Sequence, residues 1–384
     1  MKIRALQVAS FDGNIGDIAN HTGFRQSIKK HSENLVEFEN LEMRNFYQNW
    51  GIMRFDDSFV ELANKYDLLI FGGGGFFQTN VINSSTGVTI DLSPEVLSKI
   101  KSPILFNCLG IGESNTSIKQ CEDKFGKFLK YLTDSCQYMV TVRNDNSYEQ
   151  IKKLYGEELQ KKILKVPDGG FFCKPISFPH AEISKGYKNI AINVACDRSD
   201  IRYPGGNYLS QEEFVNEFSE YCIRVLKTRE DTKIIFVPHI YSDYEILMKI
   251  IQKIPDRYVR IRICCAACLN GRETNGLNNF DIYQNADLVV GMRYHANVVS
   301  IGMNVPTLGI MNLDAHIKLY DDIGIQHRCI PSNIGGFSEK LYTKTLEILD
   351  DPSPYKAENR IISNRLESEN ISYIRQIDKW LQNI

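Results

Sequence analysis

The chain carries almost no excess of charge: 45 basic against 47 acidic residues leave a net −2. A general nucleic-acid binder needs a basic surplus to neutralise phosphates, so that class is set aside. No stretch approaches the roughly 18 uninterrupted apolar residues of a membrane-spanning helix. The start, "MKIRALQVAS", has neither an apolar leader core nor a small-residue cleavage site, and a cytoplasmic protein is expected. The ten cysteines are scattered over 384 residues, unlike a small secreted disulfide scaffold, and are expected to be reduced and mostly buried. "ICCAAC" has C-x-x-C spacing, but no second Cys pair or His pair stands at zinc-site distance, so no metal is expected. No Gly-Lys-Ser/Thr follows a glycine run and no G-x-G-x-x-G occurs, which removes the P-loop and the dinucleotide fingerprint. An acidic D-x-D motif is also missing.

What is present is an ordinary globular balance, 43% hydrophobic and 24% charged. A single core usually stops growing near ~250–300 residues, so two domains are expected, with a site in a cleft between them. Short apolar runs alternate with amphipathic stretches, the rhythm of strand and helix units around parallel sheets. In the first half the strands read "IRALQVAS", "YDLLIFGGG", "PILFNCLGIG", "YMVTVRN" and "ILKVPDGG". Each ends in Gly, Asn, Asp or Ser, which collects polar residues where open parallel sheets bind ligands. The proline-bearing "CKPISFPHAEISKGYK" reads as a linker. A second series follows: "NIAINVA", "KIIFVPH", "RIRICC", "DLVVGM" and "PTLGIM", separated by helical stretches. The expected fold is therefore α/β, two Rossmann-like doubly wound domains facing a cleft, over residues 1–180 and 186–350. The tail, 355–384, is expected to form one helix that crosses back to the first domain.

Several polar groups stand at strand ends. In "SFDGNIGDIAN" a strand gives way to a glycine turn with Asn14 and Asp17 and then to a helix, a backbone suited to close approach. The run Gly72–Gly75 carries an entropic cost that an ordinary turn does not need, so Gly73, Gly74 and Gly75 are candidates for contact with a substrate or anion. Arg143 ends a strand and presents a planar fork for a carboxylate or phosphate. His239 ends another, with Asp243 placed to orient its imidazole and raise its pKa. The most specific stretch is "VVGMRYHANVVSIGM". Here Arg293 and His295 lie between a buried strand and a helix start, whose amides and dipole attract anions. Lys318 follows the next strand, and the three groups are expected to converge on one sheet edge.

In order along the chain, "GNIGD", "YDLLIFGGGGFF", "LGIG", "VRNDNS", "VPDGG", "FVPH" with Asp243, and "GMRYHANVVSIGMNVPTLGI" with Lys318 resemble the polysaccharide pyruvyl transferase family. The resemblance implies a GT-B-like pair of Rossmann domains that moves the enolpyruvyl unit of phosphoenolpyruvate onto sugar hydroxyls, without a cofactor. It places Arg143, Arg293, His295 and Lys318 at the donor, with the donor on the second domain and the acceptor on the first. The catalytic candidates are His295 as proton-transfer residue, with His239 and Asp243 nearer the acceptor. The implied acceptor is a sugar, an oligosaccharide or a lipid-linked glycan, the last of which would bring the protein to a membrane surface. Asn144 stands where the family commonly has Asp, and "VACDR" replaces a simpler strand-then-Arg start. Two other classes remain open on the same residues: a GT-B glycosyltransferase using a nucleotide-activated sugar, and a noncatalytic binding protein.

Overall fold

The computed structural model describes residues 2–112, 116–268 and 272–384. Contacts divide the chain into two compact units, one made of Met1–Phe11, Asn20–Gly169 and Leu366–Ile384, the other of Asp12–Ala19 and Gly170–Arg365.

The first unit holds β1 (Lys2–Ala9), β2 (Leu35–Glu42), β3 (Leu68–Gly74), β4 (Ile104–Leu109), β5 (Tyr138–Arg143) and β6 (Leu164–Val166). They form one parallel sheet in the order β2-β1-β3-β4-β5-β6. Five of these were expected from apolar runs. β2 was not, because it is an edge strand, "LVEFENLE", with no fully buried residue, so no hydrophobic signal marks it. β3 and β4 are buried at every position, as inner parallel strands should be. One face of this sheet packs a phenylalanine-rich core, with Phe71 and Phe106 stacked at 5.5 Å and Phe77 tilted against Phe125 at 4.8 Å.

The tail forms one helix, Ser353–Gln382. Its last part is held in the first unit. Asp378 accepts hydrogen bonds from Ser32 Oγ, Glu33 N and Asn34 Nδ2 at 2.6–2.9 Å, and the Tyr373 hydroxyl donates to Asn107 Oδ1 at 2.6 Å.

The second unit holds β7 (Lys188–Asn193), β8 (Thr232–Phe236), β9 (Ile263–Cys265), β10 (Leu288–Gly291) and β11 (Thr307–Gly309), again all parallel, in the order β11-β10-β7-β8-β9. The helix Gln211–Thr228 starts on a complete capping box between Ser210 and Glu213. "RIRICC" is corrected: "RIR" ends the helix Asp256–Arg262 and only Ile263–Cys265 is strand. Arg260 pairs with Asp256 one turn back at 2.7 Å, and Arg262 donates to the carbonyls of Leu226 and Arg229, so the charges serve a helix end. The continuous first domain 1–180 is also corrected. Asp12–Ala19 and Gly170–Arg365 count with the second unit, since Ile15, Ala19 and Cys173 share a core with Phe280 and Tyr283.

Candidate functional site

Both sheets have a topological switch, at β1/β3 in the first and β7/β10 in the second; the glycine motifs stand at the carboxyl ends of β1 and β3, and Arg293 and His295 follow β10, while Arg143 ends β5 and His239 follows β8. In the first unit the four glycines have different reasons. A Cβ on Gly72 would lie 2.6 Å from Asn107 Cβ and carbonyl oxygen, and one on Gly73 would lie 2.3 Å from Asn20 Oδ1. Packing against protein therefore explains Gly72 and Gly73, which corrects the expectation of ligand contact at Gly73. Gly74 has φ +114° and lies against Phe76; Gly75 is exposed, with nothing within 4 Å of a built Cβ, and it alone of the four faces open space.

Arg143 is buried, and its Nε donates to Asp145. The Asp145 carboxylate also accepts from the Ser147 amide and hydroxyl, and Ser147 Oγ in turn accepts the Ile111 N–H at 2.9 Å. The guanidinium lies against Gly110, where a Cβ would come within 2.9 Å of Nε and Nη2. Asn144 Oδ1 accepts the Asp168 N–H at 3.0 Å, which ties the turn after β5 to the turn after β6.

In the second unit, β10 ends at Gly291, Arg293 is the N-cap residue, and the helix Tyr294–Gly302 begins beside it. The Arg293 N–H donates to Asn193 Oδ1 at 3.0 Å, and Asn193 Nδ2 donates to the Val237 carbonyl at 2.9 Å, which ties the ends of β7, β8 and β10 together. From sequence the Arg293 side chain is expected to face an anion; in the structure two carboxylates engage it instead. Nε and Nη2 donate to Asp243, and Nη2 also to Asp197 at 2.8 Å. Burial works against the cation, and the two carboxylates outweigh it and raise its pKa. Asp197 is held low by Arg293 and Arg202 against its own burial.

Asp243 is corrected as a partner of the His239 imidazole. Its Oδ2 accepts the backbone N–H groups of His239 and Ile240 at 2.9 and 3.3 Å as well as Arg293 Nε. The His239 ring instead bonds Tyr283 through Nε2 at 2.8 Å. Burial, then Arg293 and His295, push its pKa well down rather than up. His239 is thus a neutral core imidazole at neutral pH. The unfolded chain takes up a proton here below about pH 6.5 and the folded chain does not. Stability present above that pH is therefore lost as pH falls, at up to about 1.4 kcal/mol per unit from this group. Urea midpoints followed from about pH 7.5 to 5.5 should fall less steeply for His239→Gln than for the parent, and equal slopes would contradict the assignment.

His295 is the second residue of its helix and is buried. The glycine turn explains itself here. Asn14 Oδ1 accepts the Gly16 N–H at 3.0 Å, and the helix Ile15–His31 begins with Asp17 in its first turn. A Cβ on Gly16 would lie 2.6 Å from His295 Nδ1, so the backbone approaches this imidazole directly. Lys318 is corrected. It lies within the helix Asp314–Ile323, half exposed, with its ammonium 2.9 Å from Asp321, and not in the Arg293 network. His316 on the same helix does reach the group, its ring 5.7 Å from that of Tyr294.

Sequence reading passed over Asp197, Arg198 and Arg202, all in the "VACDR" departure and the turn after it. Arg202 is fully buried and donates to Asn312 Oδ1 at 2.7 Å. Arg198 sits in a left-handed backbone conformation at φ +55°, and its Nη2 is buried with no hydrogen-bond acceptor among the described residues. A buried donor without an acceptor costs free energy unless a ligand supplies one.

The model of the polysaccharide pyruvyl transferase family matches residues 14–314. The chain belongs to that family. It is a transferase of polysaccharide biosynthesis, and the matched span takes in Asn14, Arg143, His239, Asp243, Arg293 and His295. No curated protein matches by sequence. Among solved structures, a putative UDP-N-acetylglucosamine 2-epimerase from Listeria monocytogenes is similar at 11% identity and TM-score 0.59, over 98% of each chain. A Rickettsia africae glycosyltransferase aligns over 99% of both chains at 11% identity and TM-score 0.59. Anabaena HepE, solved with UDP and glucose, aligns over 100% of both at 11% identity and TM-score 0.56. At such identities the likeness establishes the GT-B-like fold of this pyruvyl transferase family member and nothing about its ligands. Among the described residues no helix is long and apolar enough to cross a membrane.

Proposed function

We propose that the protein transfers the pyruvyl group of phosphoenolpyruvate to two hydroxyls of a sugar in a cell-surface polysaccharide or its precursor, on the cytoplasmic side. A proton goes to the methylene carbon of the donor, which becomes the methyl group, and positive charge develops at C2. One sugar hydroxyl attacks C2, the C–O bond to phosphate breaks, and the second hydroxyl closes the ketal. The two hydroxyl protons balance the methyl group and the released hydrogen phosphate. The donor brings its own electrophile and leaving group, so we propose no resident cofactor.

The observation that carries this reading is the junction of β10 with its helix, where His295 is pressed on Gly16 beside the Arg293–Asp243–Asp197 network. Of the two imidazoles, His239 is bonded to Tyr283 and kept neutral, so proton transfer is assigned to His295, a role worth typically ~10²–10⁴-fold. Arg293 positions this junction, and the anionic donor is assigned to Arg198 and the amides of the helix Tyr294–Gly302. Arg143, anchored through Nε by Asp145, stays assigned to a substrate anion on the first unit.

A nucleotide-sugar donor is the competing reading, since diphosphate suits the same cations. Thermal unfolding with phosphoenolpyruvate and with UDP-N-acetylglucosamine, each at about 100 times a typical dissociation constant, separates them. A ligand at that level adds about 2.7 kcal/mol. Stabilisation by phosphoenolpyruvate, lost in Arg198→Ala, is expected. Stabilisation by the nucleotide sugar alone would overturn the donor assignment.

A further inference from the structure

The first unit contains a cavity of about 670 Å³ that none of the motif residues lines. Its walls come from two connections only, the one leaving the carboxyl end of β2, with Phe46, Tyr47, Asn49 and Arg54, and the one leaving β3, with Val88 and Thr89. Those strands flank β1 at the switch of the sheet, where open α/β sheets bind their ligands. The volume falls in the range of small-molecule sites, roughly 300–1,000 Å³, and exceeds what one pyranose fills.

The lining mixes two chemistries. On the wall Phe46 and Phe55 stack face to face at 4.0 Å and 4° beside Tyr47, which Trp50, outside the lining, meets edge-on at 6.2 Å. Beside these rings stand Gln48, Asn49, Arg54 and Thr89, whose side chains make no hydrogen bond or ion pair among the described residues. Asp56 is also on the wall; only its Oδ1 is used, capping the helix Asp57–Ala63. A hydrocarbon occupant would leave those donors and acceptors facing an apolar chain at a desolvation cost. A sugar answers both sets, because its C–H face packs on aromatic rings while its hydroxyls pair with amides, guanidinium and carboxylate.

We propose that this cavity binds the acceptor glycan through two or more sugar units, with the aromatic floor under the ring and Asn49, Arg54 and Thr89 on its hydroxyls. The proposal rests on the acceptor being a glycan, as in the function proposed above. Saturation-transfer NMR on the full chain with maltose, lactose, cellobiose and diacetylchitobiose reads binding without any donor. At least one should bind, and the double variant Asn49→Ala/Arg54→Ala and the cavity-filling Asn49→Trp should each weaken it about tenfold or more, as loss of such hydrogen bonds implies. Both sites are exposed, and circular dichroism verifies that the variants fold. No binding from the panel, binding unchanged in both variants, or displacement of the sugar by a long-chain alcohol would overturn the assignment. Phosphate release from phosphoenolpyruvate is followed on the same samples. Sugar binding that depends on Asn49 and Arg54 without any phosphate release would leave the cavity as a glycan site and remove the donor reading instead.

Discussion

Asp243→Ala is expected to destabilise the second unit by about 3–5 kcal/mol, the usual cost of stripping one partner from a buried ion pair. Asp243 is fully buried and accepts four hydrogen bonds, two from the Arg293 guanidinium and two from the amides of His239 and Ile240. Its removal leaves a buried cation with Asp197 alone and strips the turn after β8 of its acceptor. The melting temperature should fall on the order of 10 °C for a unit of this size. Asp243→Asn keeps an acceptor but no charge and should fall between the two. If Asp243→Ala cost less than about 1 kcal/mol, Arg293 would have to reach solvent, and the network would not brace the second unit. The pair illustrates why sequence alone misassigned these residues. An arginine and an aspartate 50 positions apart carry no mark of each other in the sequence, so Arg293 read as an anion ligand and Asp243 as the partner of the nearer His239.

The same limit explains most differences between reading and structure. The alternation of buried strands and amphipathic helices was legible because burial on both faces writes continuous apolar runs, as in "LLIF" and "IAIN". β2 writes none, being an edge strand. "RIR" shares its apolar spacing with a strand and a helix end, and only its carbonyl partners decide. The glycine motifs were seen as close approaches, but what they approach is set by tertiary packing: Asn20 for Gly73, His295 for Gly16. The aromatic cavity was invisible, because "FYQNWGIMRFD" has no periodicity or spacing that announces a pocket; its walls meet only when the connections after β2 and β3 are brought side by side.

Gly16→Ala carries the second large effect. Gly16 is the second residue of a helix and its φ is not positive, so alanine meets no backbone strain; within helices alanine is favoured over glycine by roughly 0.8–1 kcal/mol. The obstacle is the imidazole. A Cβ 2.6 Å from His295 Nδ1 and 3.1 Å from its Cβ must move the ring, since the contact includes the root of the side chain and not a flexible tip. A shift of this kind at a proton-transfer group costs on the order of 10²-fold in turnover. Global stability should change by less than about 1 kcal/mol, because helix propensity offsets the local repacking. The decisive measurement is the rate of phosphate release from phosphoenolpyruvate, with a glycan acceptor present, for the parent protein, Gly16→Ala and His295→Ala. Acceptor-dependent release by the parent is expected, with a fall of about 10²–10⁴-fold in His295→Ala and of about 10²-fold in Gly16→Ala. Release by both variants near the parental rate would contradict it.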